Sequence, residues 1–260
     1  LQQSSILELY NPERSIDLRS ADGIQTWDAF LAALEEADVT ADGGTGLRIL
    51  TETVSSPTLA AQLNDLLEQY PNAKWYQYAP VSHDNVIAGS EMAFGEVVNT
   101  VYNFENADVV LSIDGDFLEN MAYARTFMAK RQVRGDNTTM SRLYAVESTP
   151  GLVGATADHR LPLRPSDIEA FVRALASEIG VAGVSEAISE NWDPVWFNAV
   201  VADLQEREGR GIVVAGRTLS PSVHALIHAI NAQLGNVGET VIYAPSPFAN
   251  PVLSGEQITE

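Results

Sequence analysis

The run Val109-Val110-Leu111-Ser112-Ile113 constrains this chain more than any other feature, because it is apolar at consecutive positions and carries no charge. A strand of that kind must be covered on both faces, which is the condition inside a parallel sheet wrapped by helices. Shorter runs repeat the theme at Leu47 to Thr51, Lys74 to Tyr78, Leu143 to Val146 and Ile212 to Ala215. Helical spans separate them. Trp27, Phe30, Leu31 and Leu34 are spaced i, i+3, i+4 and i+7, which predicts an amphipathic helix over Thr26 to Ala37 with Thr26 as N-cap. Ser56-Pro57 opens a helix to Tyr70. Further helices are expected from about Asp84 to Asn99, Leu118 to Lys130, Ser166 to Ile179, Val195 to Glu208 and Ser222 to Leu234.

This alternation predicts an α/β fold: a doubly wound parallel sheet with helices on both faces, using strands at Leu47, Trp75, Val110 and Tyr144, followed by part of a second α/β domain. The expected boundaries are a connecting segment and first helix over 1–40, the α/β domain over 41–180, and a truncated second domain over 181–260. The chain lacks an initiator Met, and Ser254-Gly255-Glu256-Gln257 reads as a capping box with three residues after it, so the sequence reads as a piece of a longer polypeptide.

Charge narrows the partners. Against 35 Asp and Glu stand 15 Lys and Arg, a net charge of -20, and such a surface repels nucleic-acid phosphates and anionic lipid. With no cysteine there is no disulfide, thiolate nucleophile or thiolate-ligated cluster within these residues. No apolar run reaches the roughly 18 residues that a membrane helix needs.

In an open α/β sheet, ligands lie beyond the carboxyl ends of the strands. Those ends are Thr51 to Ser56, Tyr78 to Asp84, Asp114 to Asn120, Glu147 to Gly154 and Gly216 to Ser220, and none carries a dinucleotide or P-loop fingerprint. Asp114, Asp116, Glu119 and Glu147 follow adjacent strands. They suit either acid/base and cation-binding work or the capping of helix N-termini, and capping is the simpler role. His224 and His228 have metal-sharing spacing on one helix, but without a Glu after the first His or an evident third ligand they read as structural. His83 and His159 stand alone. Ser55-Ser56 lacks a nucleophile-elbow setting, and Met121, Met128 and Met140 with Tyr123 and Phe127 read as core.

Several longer words resemble the molybdopterin oxidoreductases, the group of dimethyl sulfoxide reductase and formate dehydrogenase. They are Ala107-Asp108-Val109-Val110-Leu111-Ser112-Ile113-Asp114-Gly115-Asp116, Ala157-Asp158-His159-Arg160-Leu161, and Leu234-Gly235-Asn236-Val237-Gly238. The stretches Leu7 to Ser15, Leu50 to Ala60, Arg142 to Ser148 and Val223 to Asn231 are similar to the molybdopterin-oxidoreductase-like iron-sulfur subunit of alternative complex III, a quinol oxidoreductase.

That resemblance implies a non-catalytic scaffold on the periplasmic side of a membrane-bound electron-transfer complex. Its partners would be cytochrome c and integral membrane quinol-binding subunits, with iron-sulfur clusters elsewhere in the complex and no direct membrane span. It also implies a vestigial pterin crevice outlined by Thr51, Ser55, Asp114, Asp116, Glu147 and Gly216, with no cofactor, metal or catalytic residue in this region. Glu147-Ser148-Thr149-Pro150 lacks the cation that would pair with a pyrophosphate there. The competing implication is an active molybdopterin-binding domain whose ligands come from sequence outside this chain.

Overall fold

The computed structural model describes residues 6–14, 16–135 and 138–257; Ser15, which closes one of the words above, lies outside them. Two compact units emerge, one of Leu1–Thr51 and Pro57–Tyr76, the other of Glu52–Ser56 and Gln77–Glu260.

In the first unit, β1 (Leu18–Ser20) and β2 (Gly23–Gln25) form an antiparallel hairpin. Helix α1 (Trp27–Ala37) follows, and its cap is the expected one: Thr26 Oγ1 accepts a hydrogen bond from the Ala29 amide at 3.2 Å. None of its residues is buried, and the stripe of Trp27, Phe30, Leu31 and Leu34 stays exposed. Strand β3 (Arg48–Thr51), helix α2 (Pro57–Gln69) and strand β4 (Lys74–Gln77) come next, the last residue of β4, Gln77, being counted in the second unit. Strands β3 and β4 make a two-stranded sheet of their own. The strands expected at Leu47 and Trp75 therefore exist but do not join the central sheet.

The second unit holds that sheet. Strands β6 (Val109–Ile113), β7 (Arg142–Glu147), β8 (His159–Pro162) and β9 (Gly211–Ala215) are all parallel, in the order β8-β7-β6-β9. This is the α/β class expected from sequence, with a correction to its membership. The strand at 211–215, expected in a domain beyond residue 180, pairs directly with β6, Leu111 opposite Val213. The free edge of β9 is covered by side chains. Asn231 receives the Val213 amide at 3.0 Å and donates to the Val213 carbonyl at 2.8 Å, imitating a neighbouring strand, while Asn236 Oδ1 accepts from the Gly211 amide.

Strand alternation sorts the core into two layers. Val109, Leu111 and Ile113 face α6 (Pro165–Ile179), α7 (Pro194–Glu206) and α8 (Pro221–Gln233) through Phe171, Leu175, Phe197, Val200, Ile227 and Ile230. On the other face, Val110, Leu143 and Ile212 meet Phe104, Phe117, Val153 of the short α5 (Leu152–Thr156), and Phe127 of α4 (Met121–Lys130). Helix α6 begins at Pro165 and ends where Gly180 takes a left-handed φ of 88°. Ahead of the sheet, α3 (Asp84–Phe94) stops at Gly95, and residues 98–102 form β5 (Val98–Tyr102) instead of extending the helix to Asn99. Strand β5 pairs antiparallel with β10 (Val241–Pro245), a ribbon that the expected all-parallel pattern does not contain.

Candidate functional site

The order β8-β7-β6-β9 reverses direction between β6 and β9, and an α/β sheet opens its ligand crevice at such a reversal. Here the crevice is filled by backbone. Gly216 lies so close that a Cβ on it would fall 1.9 Å from the Asp114 carbonyl oxygen, and Gly115 packs against the Gly216 amide. Asp114 holds a left-handed φ of 47°, a conformation that Asp tolerates better than most residues. Ser112 Oγ donates to the Gly115 carbonyl at 2.6 Å.

Asp114, Asp116 and Glu147 each have at least one partner, although Asp116 Oδ1 is buried without one. Asp114 Oδ1 accepts from the Ser148 amide, and Asp116 Oδ2 accepts from the Leu152 amide at the start of α5. Glu147, 6% exposed, takes Arg160 Nε on one oxygen at 2.6 Å and the Gly151 amide on the other. Gly154 leaves no room for a side chain, since its Cβ would sit 1.5 Å from Glu147 Oε1. Asp114, Asp116, Glu147 and Gly216 are thus brought together as loop and helix anchors. Thr51 is elsewhere: it belongs to the first unit, where its hydroxyl accepts from Trp75 Nε1 at 2.9 Å. Ser55 is an exposed loop residue of the second unit, and Glu119 is exposed.

A different space opens beyond the end of β9. A cavity of about 240 Å³ is walled by α3, β5, the first turns of α8 and the segment after β10. Its polar groups include His83, Asn99, Thr100, Tyr102, Arg217, His224 and His228, and its apolar wall includes Val86, Ile87, Ile227 and Phe248. Among the described residues no Asp or Glu lines it.

Local chemistry places each group. Gly216 ends β9 and delivers Arg217 to the mouth, where its exposed guanidinium has no ion pair among the described residues. His224 and His228 follow on one face of α8, one turn apart. Close packing of α3 on α8 is possible because Gly89 lies against His224, a Cβ there falling 2.4 Å from that of His224. His83 stands just before α3 and rests against Phe248 at 5.9 Å.

The imidazoles of His224 and His228 are held neutral. His224 is 5% exposed and its Nε2 has no hydrogen-bond partner. Burial pushes its pKa down, partly offset by a hydrogen bond with the Arg217 backbone. Burial, then the neighbouring His224, pushes His228 to about 4. His228 Nδ1 shares a hydrogen bond with Tyr243 Oη at 3.0 Å, and Phe94 packs edge-on against the ring at 5.0 Å. Burial drives Tyr243 up to about 12, and Tyr102 is raised as well, so both phenols stay protonated donors.

The histidine pair is legible as spacing; its setting is not, because the sequence pattern runs β5 into the tail of a helix and Arg217 has no motif around it. The position of Arg217 just beyond a strand end is the available signal. Among the described residues no group of three His, Asp or Glu side chains is placed to hold a metal ion.

No protein-family model and no curated protein matches the chain. Among solved structures, it is similar to a chain of the formyltransferase/hydrolase complex FhcABCD from Methylorubrum extorquens, determined with methylofuran, at 18% identity and a TM-score of 0.50. The match covers 84% of this chain and 56% of that one, so the chain spans little more than half the length of the solved chain it matches. At this identity the likeness is one of fold. The reading as an alternative complex III subunit, a quinol oxidoreductase scaffold, is corrected by this match: the similar chain comes from a multi-subunit formyltransferase/hydrolase complex, and nothing supports cytochrome c or membrane quinol-binding partners. No helix among the described residues is long and apolar enough to cross a membrane.

Proposed function

We propose that the chain is a ligand-binding α/β domain of a subunit in a multi-subunit enzyme assembly, and that the cavity beyond β9 takes a small carboxylate. The observation that carries this is the cavity's composition: an arginine and three imidazoles with no acidic side chain, in a chain of net charge -20. Six of its other twelve arginines form ion pairs among the described residues, as Arg131 does with Asp158, Arg160 with Glu147 and Arg210 with Asp108. A free guanidinium offers a planar fork that matches a carboxylate. The first turns of α3 and α8 add the positive ends of two helix dipoles to the same wall. Hydrolysis of a formyl group releases formate, which links this ligand class to the chemistry named for the similar complex. The exposed apolar stripe of α1 supports the assembly part of the reading.

Calorimetric titration of the 260-residue chain with formate, acetate and the neutral isostere formamide tests the carboxylate site. Saturable binding of the two anions, absent for formamide and weakened at least tenfold by Arg217→Ala, is the expected outcome. Equal behaviour of formate and formamide, or anion binding indifferent to Arg217, would reject it.

A further inference from the structure

Resting on the carboxylate reading above, we propose that the anion enters this cavity together with a proton, received by the imidazole pair of His224 and His228. The groups around these rings leave them without a counter-charge. On α3, His83 stands at the start, Asp84 spends its two oxygens on the Ser254 and Gly255 amides at 3.0 Å each, and Glu91 is exposed. From β5 and β10 come the phenols of Tyr102 and Tyr243, and from the β9 end comes Arg217. On α6, which also packs on α8, Glu169 pairs with Arg173 at 3.0 Å. Among the described residues no carboxylate pairs with either imidazole.

By itself the cavity therefore holds two neutral rings, one of them with a buried nitrogen that no protein group satisfies. An incoming carboxylate supplies the missing negative charge. A counter-charge at contact distance raises a neighbouring imidazole by about 1–3 pH units, which brings His228 from about 4 towards the neutral range. The balance is one carboxylate and one proton from solvent taken up per site, ending as an imidazolium–carboxylate pair beside the guanidinium. Affinity must then rise as pH falls from the raised pKa of the ligand-bound imidazole to the lower pKa of the ligand-free one, because the bound form holds the extra proton.

The test is formate titration at pH 7, 6 and 5 in two buffers of different ionisation enthalpy, MES and Bis-Tris. The expected result is an affinity about tenfold higher at pH 5 than at pH 7, with proton uptake approaching one per formate. His228→Gln should lose most of the pH slope and of the uptake, and His224→Gln provides the same reading from the second ring. Formate that binds equally at pH 5 and pH 7 without proton uptake overturns this inference and leaves the carboxylate site standing. No binding at any pH overturns both.

Discussion

Two strand-end regions of the same sheet have opposite fates. At the β6–β9 reversal, Asp114, Asp116 and Glu147 are each bonded to a backbone amide or an arginine, and Gly216 closes the space with its own main chain. Each region keeps one buried polar atom without a partner, Asp116 Oδ1 at the reversal and His224 Nε2 beyond β9, but only beyond β9 do Arg217, His224 and His228 line an open cavity. The acidic residues that attract attention in sequence are the ones that structure puts to use as anchors. The place able to bind something is the one where hydrogen-bonding capacity and open space coincide, since a buried polar group without a partner costs about 1–3 kcal/mol and a ligand can recover it.

The largest effect that would break this contrast is expected at Gly216. Gly216→Ala drives a Cβ into the Asp114 carbonyl, and neither backbone can yield without opening the β6–β9 register, so a loss of about 3 kcal/mol or more is expected in urea unfolding. A loss below about 1 kcal/mol would mean that the crevice is not closed by backbone. Next is Arg160→Met, which strips Glu147 of its charge partner; about 2 kcal/mol should be lost at pH 7, discounted from a fully buried pair because Arg160 keeps 29% of its side-chain surface in water.

The cavity should respond to pH instead. Both histidines have pKa values lowered by folding, so the unfolded chain binds more protons below the ordinary imidazole range and stability falls as pH drops; for His228 the window runs from about 6.5 to about 4. For His228 the loss reaches on the order of 3 kcal/mol at the acid end, and His228→Gln should flatten it. Asp108, Asp158 and Asp203 have lowered pKa values, Asp108 and Asp158 chiefly through arginine hydrogen bonds, and their share disappears only at more acid pH. The smallest change in stability belongs to Arg217→Ala, within about 0.5 kcal/mol because the side chain is exposed, although it should abolish most formate binding. A large stability loss there would make Arg217 a structural anchor and erase the contrast.

Much of the scaffold is legible in the sequence alone. The run at 109–113 is buried along its whole length, the Thr26 cap forms, and the helix expected over Ser222 to Leu234 is α8. Sheet membership is less legible. An isolated apolar run such as Leu47 to Thr51 says strand but not which neighbour it pairs with, and β3 pairs with β4 alone. The site is legible only in part: His224 and His228 share a face by spacing, whereas the neutral, carboxylate-free surroundings depend on β5, β10 and the residues after them.

By itself, the sequence determined the α/β class, the alternation that buries β6 on both faces, and the absence of cysteine chemistry, because these follow from local periodicity and composition. Only the tertiary structure decided which polar groups keep unused bonding capacity beside an open space. That depends on partners far apart in the chain: Asp84 is silenced by amides 170 and 171 residues away, and Gly89 admits His224 to the cavity wall by lacking a side chain. Solvation and charge pairing are properties of the packed arrangement, so the same histidine spacing would describe a solvated helix face in one fold and a neutral, ligand-ready wall in this one.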